Sequence, residues 1–337
     1  MLALAPAYRS DPSGLVYGYR FGTDASAELI HGDDVASVIE SSSDEAASEF
    51  AWLHFDLSHV ACEKWLHARL SLPDAFYAAL SDGARTTHIE QADGSLVAVI
   101  NDVLYDFAFE ATHISTLWVC ATPRLLITAR RKPLRSIDRL RTCVRNGDRF
   151  RSTVALLVHL LRDQGDVLVG IVRKATSKVD DIEDSLLAGR LDTKRASLGE
   201  LRRVLVRLGR LLAPEPPALF RLLNRPPNWM LEADVQDLRQ ATEEFAAVIT
   251  DMSVLTERIK LVQEEVAAQV AEQNNRSLFL LTVFTVLALP INIIAGLFGM
   301  NVGGVPLAQH EHGFWIVVGI VTLLTIAGVW LVVRRRD

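Results

Sequence analysis

Hydrophobic and polar positions divide the chain into three stretches with different periods. Over residues 15–148, short apolar runs rich in Val, Ile, Leu and aromatic residues alternate with amphipathic ones. Strands are predicted at 15–22, 51–57, 87–91, 95–102, 115–122 and 124–130, each bounded by Gly, Asp or Pro. Ala92-Asp93-Gly94-Ser95 predicts a two-residue hairpin turn, because Asp-Gly accepts the positive φ values such a turn requires. Helices are predicted at 33–41, 61–70, 74–80 and 136–146, with Ser136 as the N-cap of the last. Residues 1–148 thus read as an α/β domain whose sheet order the sequence leaves open.

From Ser152 the apolar spacing becomes helical. Leu156, Leu160, Val167, Val172, Val179, Ile182 and Leu186 predict a helix over 153–189, and a second follows over 193–212. The prolines of APEPP (213–217) and RPPN (225–228) read as breaks, since proline cannot continue a helix. Between Trp229 and Phe298 the only proline is Pro290 and the only glycine is Gly296. Such a run predicts a single helix of about 105 Å, a stalk from about residue 229 within a helical region at 149–277.

Two charge-free runs close the chain, 278–298 and 314–333. Each holds ~20 residues, the length that crosses ~30 Å of hydrocarbon. With the connection at 299–313 they predict a transmembrane hairpin over 278–337. Arg334, Arg335 and Arg336 close the second run and Arg276 precedes the first, whereas residues 301–313 contain no Lys or Arg. The positive-inside rule then puts both chain ends in the cytoplasm and the connection outside. The expected class is an α+β membrane protein: an N-terminal cytoplasmic α/β domain, a long stalk helix and a C-terminal two-helix hairpin.

Composition narrows the function. Half of the 337 residues are hydrophobic and the net charge is −6, which argues against a nucleic-acid partner. The three cysteines, Cys62, Cys120 and Cys143, form no CxxC pair and fit a reducing compartment. No basic n-region and apolar core open the chain, so no signal peptide is expected. No HExxH, Walker A, GxSxG or GxGxxG motif occurs, and nothing identifies an enzyme.

Polar residues in the first apolar run are not scattered. Asn275, Leu278, Thr282, Thr285, Leu289, Asn292 and Gly296 recur at steps of three or four and share one helix face, with Asn301 beyond its end. An asparagine within a bilayer is costly unless it faces protein or water, which makes Asn292 a functional candidate. The competing role for Asn292 and Thr285 is hydrogen-bonded glue between two helices. Upstream, Glu232, Asp234, Asp237, Glu243, Glu244, Asp251, Glu257, Glu264, Glu265 and Glu272 face only three basic residues between Trp229 and Asn275. Singly these are a solvated face. Repeated around an oligomer axis, Glu264, Glu265 and Glu272 would form a vestibule that concentrates cations. Weaker metal candidates are His310, Glu311 and His312 in the connection, and His54, Asp56 and His59 at a strand end. His159 reads as a core or interface residue.

The segment ALPINIIAGLFGMN (288–301), followed by a second span and a basic tail, resembles the CorA superfamily of two-span divalent-cation transporters. That family's Gly-Met-Asn signature matches Gly299, Met300 and Asn301. The resemblance implies a homopentamer in the bacterial inner membrane, with the first span of each subunit lining a central pore. Asn301 would then form a ring at the outer mouth, Asn292 a polar ring midway, and Leu289 and Leu281 apolar constrictions. Gly296 and Gly299 would allow close helix approach near the mouth. Asn301 is followed by Val302-Gly303-Gly304-Val305-Pro306-Leu307 with no carboxylate before Glu311, which is similar to the ZntB branch of zinc transporters. Zinc is therefore the expected cargo, and no catalytic cofactor is implied. A magnesium, cobalt or nickel channel of the same fold is the alternative. A membrane-anchored sensor or scaffold is the rival from another class. Transport direction and proton coupling stay open.

Overall fold

Seven strands, each carrying apolar residues on the faces it buries, form one mixed sheet in the order β2-β1-β3-β7-β6-β5-β4. In the computed structural model the described residues are 13–30, 35, 37–38, 49–81, 87–110, 113–188, 195–300, 306 and 310–334. The strands are β1 (Leu15–Phe21), β2 (Ala27–Ile30), β3 (Phe50–Asp56), β4 (His88–Ala92), β5 (Ser95–Val103), β6 (Ile114–Ala121) and β7 (Leu125–Arg130). Every neighbouring pair is antiparallel except β3 and β7, which run parallel with His54 opposite Thr128 and Asp56 opposite Arg130. Asp93 and Gly94 join β4 to β5 with φ of 48° and 76°, the doubly positive geometry that the Asp-Gly pair predicts.

Alternation along β3 sends Leu53 and Phe55 to one face and Trp52 and His54 to the other. The first face is covered by α1 (Cys62–Arg69) and α2 (Asp74–Ser81), whose Leu66, Phe76 and Leu80 join Val97, Trp118 and Ile127 in one core. The other helices of this unit are α3 (Arg135–Asn146), α4 (Thr153–Leu187), α5 (Arg195–Leu212) and α6 (Glu215–Asn224), followed by the start of α7 (Glu232–Phe298). Leu157, Leu160 and Leu161 of α4, Leu219 of α6 and Leu238 of α7 meet Leu96, Ala98, Ile100 and Val119 of the sheet. The helix predicted at 33–41 lies largely outside the described residues, and only positions 35, 37 and 38 are helical among those described.

Three readings of the sequence need correction. Ser136 does not cap α3. The residue before that helix is Leu134, which offers no side-chain cap, and Asp102 of β5 supplies the acceptor instead. Asp102 takes the Ser136 backbone N–H at 3.0 Å and the Ser136 hydroxyl at 3.0 Å. The APEPP segment does not only end a helix. Pro216 and Pro217 sit in the first turn of α6, where proline costs no intrahelical bond and its fixed φ suits the helix. The short edge strand β2, with two of its four residues exposed, carries no apolar alternation and was not expected.

The chain separates into two compact units, one ending at Val262 and one beginning at Gln263. Helix α7 runs without interruption for 67 residues through this division, with Pro290 inside it. The second unit holds the end of α7 and helix α8 (Gly313–Arg334). Among the described residues α7 is long and apolar enough to cross a membrane, and α8 provides an apolar run from Gly313 to Gly328.

Candidate functional site

The polar stripe of α7 belongs to its apolar end, and its placement follows from how α8 covers that helix. Val283, Leu287, Ile291 and Ile294 are half-buried, while the residues between them are exposed. On α8 the half-covered positions are Val317, Val321, Thr325 and Gly328, at steps of three and four. The two rows meet at Gly328: a Cβ there would stand 2.8 Å from Leu287 Cδ2. At about 100° per helical residue, the stripe of Thr282, Thr285, Leu289, Asn292 and Gly296 is centred about 180° from the covered row, its members standing about 135–175° from it. All five are exposed, as are Asn275 and Leu278. The stripe therefore faces directly away from α8.

Thr282 and Thr285 donate their hydroxyls to the carbonyls of Leu278 and Leu281, at 2.8 and 2.9 Å. Their remaining lone pairs point outward as neutral acceptors. The flanks of the helix are apolar and bare: Phe284, Val286 and Ile293 are 70%, 55% and 52% exposed. Side chains of this size left open over several turns need lipid or other protein chains to cover them. Trp315 and Trp330 stand toward opposite ends of α8, and the Arg334 guanidinium lies 5.0 Å from the Trp330 ring. Aromatic residues at both ends of an apolar helix match an interfacial belt.

Gly299 closes α7, its N–H bonded to the Ala295 carbonyl at 2.9 Å, and a Cβ there would meet that carbonyl at 3.0 Å. Met300 is exposed, and nothing lies within 4 Å of a Cβ at Gly296. Asn301, Val302 to Val305 and Leu307 to Gln309 lie outside the described residues, as do Arg335 and Arg336. His310, Glu311 and His312 are exposed, and His310 Nδ1 accepts the His312 backbone N–H at 3.3 Å.

Seven of the ten acidic residues of α7 fall into two groups. Arg151 pairs with Asp234 at 3.1 Å and Asp237 at 2.7 Å, Arg162 approaches Glu244 at 3.8 Å, and Lys260 holds Glu257 at 2.8 Å. These four spend their charge within the first unit. Glu264, Glu265 and Glu272 are exposed, and Glu265 accepts from the Gln269 amide at 3.1 Å.

His54, Asp56 and His59 are not brought together as ligands. The His54 ring is fully buried, with Nε2 accepting from Arg130 Nε at 3.1 Å and Nδ1 against Thr128 Oγ1 at 2.8 Å. Since Arg130 can only donate, Nδ1 carries the proton and both ring nitrogens are engaged. Burial, then the charges of Arg130 and Arg141, hold its pKa well below the usual histidine value. Asp56 faces Arg130 at 3.8 Å, and the half-buried His59 forms no group with them. A ligand-type group that the sequence does not announce lies at the end of α3: Cys143, Asp148 and His159 hold their donor atoms within 4.8 Å of one another.

Comparison with known proteins gives this arrangement a family. A sequence profile described as "CorA-like Mg2+ transporter protein" matches residues 47–335. The divalent cation transporter CmaX of Pseudomonas aeruginosa is 28% identical, covering 98% of each chain. The zinc transport protein ZntB of Yersinia pseudotuberculosis is 22% identical over 96% of each. The solved full-length CmaX structure superposes with a TM-score of 0.81 at 25% identity, covering 97% of this chain and 98% of that one. The CorA magnesium transporter of Methanocaldococcus jannaschii gives a TM-score of 0.74 at 18% identity over 93% and 96%, which shows a shared fold. With most of its length matched by one profile, the chain belongs to the CorA-like Mg2+ transporter family, a family of transporters rather than enzymes.

Proposed function

We propose that this chain is one subunit of a homopentamer in the bacterial inner membrane that transports a divalent cation, zinc first, along a path lined by α7. The observation that carries the reading is the position of the polar stripe. It lies about 180° from the face that α8 covers, so it is the face left for other copies of α7 around an axis. In this arrangement α7 and α8 both cross the bilayer, both chain ends are cytoplasmic, and lipid covers the bare apolar flanks.

Each part of the stripe has a separate task. Asn301 offers a ring of neutral amide dipoles at the outer mouth, suited to holding a cation through its water shell and releasing it again. Asn292 repeats that ring midway, and the outward lone pairs of Thr282 and Thr285 accept hydrogen bonds from the cation's waters. Leu281 and Leu289 narrow the path with side chains able to close it by dewetting. Glu264, Glu265 and Glu272 raise the local cation concentration at the cytoplasmic end.

Zinc is supported by the loop after Asn301, which carries no carboxylate before Glu311, and by the relatives named as zinc transport proteins. The family's own description favours magnesium as the second reading. Uptake of zinc and magnesium into proteoliposomes, with and without a pH gradient, separates the two. Zinc uptake in excess of magnesium supports the first; magnesium uptake indifferent to pH overturns it. Asn301→Ala is expected to abolish uptake at unchanged oligomer size, and unimpaired uptake by that variant would remove Asn301 from the path.

A further inference from the structure

We propose that Cys143, Asp148 and His159 form a binding site for a thiophilic divalent transition-metal ion, with Asp163 as the positioning residue that orients the histidine. The site lies in the N-terminal unit, between the end of α3 and the first turns of α4, and is separate from the path along α7.

The local fold builds the site from a helix stop. Gly147 takes φ of 93° just beyond α3, a left-handed position that a side chain disfavours. The Asp148 N–H then bonds back to the Cys143 carbonyl at 3.2 Å, and the Gly147 N–H to Val144 at 3.2 Å. This paired closure turns the chain so that Asp148 returns over Cys143, five residues earlier. The Cys143 Sγ then stands within 4.8 Å of an Asp148 carboxylate oxygen. Ser152 caps α4 by accepting the Ala155 N–H at 3.0 Å, which fixes the start of the helix that carries His159.

His159 has a carboxylate partner of the kind that stands behind metal-bound histidines. Its Nδ1 lies 3.0 Å from Asp163 Oδ2, one turn on, and Asp163 is buried and held on its other oxygen by Arg139 at 3.2 Å. Phe150 stacks edge-on against the ring at 5.4 Å. A carboxylate on one imidazole nitrogen fixes the tautomer and leaves Nε2 as a ligand, the outer-shell arrangement found behind metal-bound histidines. That hydrogen bond also raises the His159 pKa, so a cation has to compete with a proton there.

The donor set selects the class of ion. A thiolate and a carboxylate carry two negative charges against one divalent cation, and the imidazole is neutral. Sulfur and nitrogen donors favour zinc, cobalt or cadmium over magnesium, which prefers oxygen alone. In a tetrahedral site with ordinary bond lengths the donors would stand about 3.5 Å apart. They now stand within 4.8 Å of one another, and Asp148, the ligand carried by the turn, is exposed. Three protein ligands leave a fourth position for water. Cys143 and His159 are half-buried, so an ion reaches them from solvent without opening the core.

Cobalt titration of the full chain in detergent tests the site. The wild type is expected to bind one Co2+ per chain with thiolate-to-cobalt charge-transfer absorption, and Cys143→Ser to lose that absorption. Asp163→Asn should weaken binding by about 10–100-fold while keeping the absorption, as expected of an orienting carboxylate. Asp148→Asn, at an exposed position that leaves folding intact, should weaken binding at least about tenfold. Absence of thiolate absorption in the wild type, its persistence in Cys143→Ser, or unchanged affinity in Asp148→Asn would each overturn the proposal. Oxygen donors along α7 produce no such absorption, so this result and the transport result fail independently.

Discussion

Replacing Glu215 by Gln should remove much of the alkaline instability of the N-terminal unit. Glu215 is 1% exposed at the start of α6, with its carboxyl beside the Gln164 amide at 3.3 Å. Burial is the main cause that lifts its pKa from 4.5 to about 8; the nearby Asp102 adds to it, while the Gln164 bond opposes. The folded pKa lies above the unfolded one, so the fold holds a proton that the unfolded chain releases. Its contribution is complete below about 4.5 and is lost as pH rises to about 8. The slope within that window is about 1.4 kcal/mol per pH unit. From pH 6 to 8 that amounts to about 3 kcal/mol, an upper bound because polar groups and water relax around a buried charge. At about 2–4 °C per kcal/mol for a unit of this size, the expected loss is roughly 6–12 °C in Tm. Thermal unfolding of the full chain in detergent, followed by circular dichroism at pH 6 and pH 9, measures it. Glu215→Gln carries no proton to lose and should flatten the difference between the two pH values. Equal pH dependence in both proteins would refute the assignment of an uncharged Glu215 in the fold.

Three further outcomes follow from particular contacts. Asp102→Ala leaves the Ser136 N–H and hydroxyl without their acceptor and should cost about 1–3 kcal/mol in denaturant unfolding. Gly328→Leu puts a side chain where Leu287 Cδ2 already stands, 2.8 Å from the Cβ, and should separate α7 from α8, lowering the yield of oligomer on size exclusion. Replacing Glu264, Glu265 and Glu272 together by Gln should reduce uptake at low ionic strength and have little effect near 1 M salt, where the Debye length falls to about 3 Å.

Much of the architecture is readable from periodicity because it is set locally. The long run from Trp229 contains no helix breaker other than Pro290, and α7 is one helix through it. The Asp93-Gly94 turn and six strands are equally local. What escaped depends on partners outside the element itself. β2 exists because β1 pairs with it, through Gly18 opposite Ile30, and its own four residues carry no alternation. The cap of α3 comes from Asp102, 34 residues earlier, which no local capping rule finds. Pro216 and Pro217 read as breakers because proline signals a boundary without saying on which side the helix lies.

The same limit applies to candidate ligands. His54 and Asp56 looked like a metal pair until parallel pairing with β7 put Thr128 and Arg130 beside them. Cys143, Asp148 and His159 look unrelated until the turn at Gly147 folds them together, although a helix ending in Gly two residues after Arg145 is a legible signal. The residues that share the stripe face of α7 follow from their spacing alone; the orientation of that face relative to α8 does not, because it depends on which face the neighbouring helix covers.

The central claim is that this stripe lines the ion path. Divalent cation uptake into proteoliposomes by Asn292→Leu, beside Phe284→Leu as a control on an exposed flank, tests it most directly. Loss of uptake in Asn292→Leu with an unchanged oligomer, and retained uptake in Phe284→Leu, is the predicted result. Full uptake by Asn292→Leu would contradict the account and make Asn292 a packing residue of a membrane-anchored assembly.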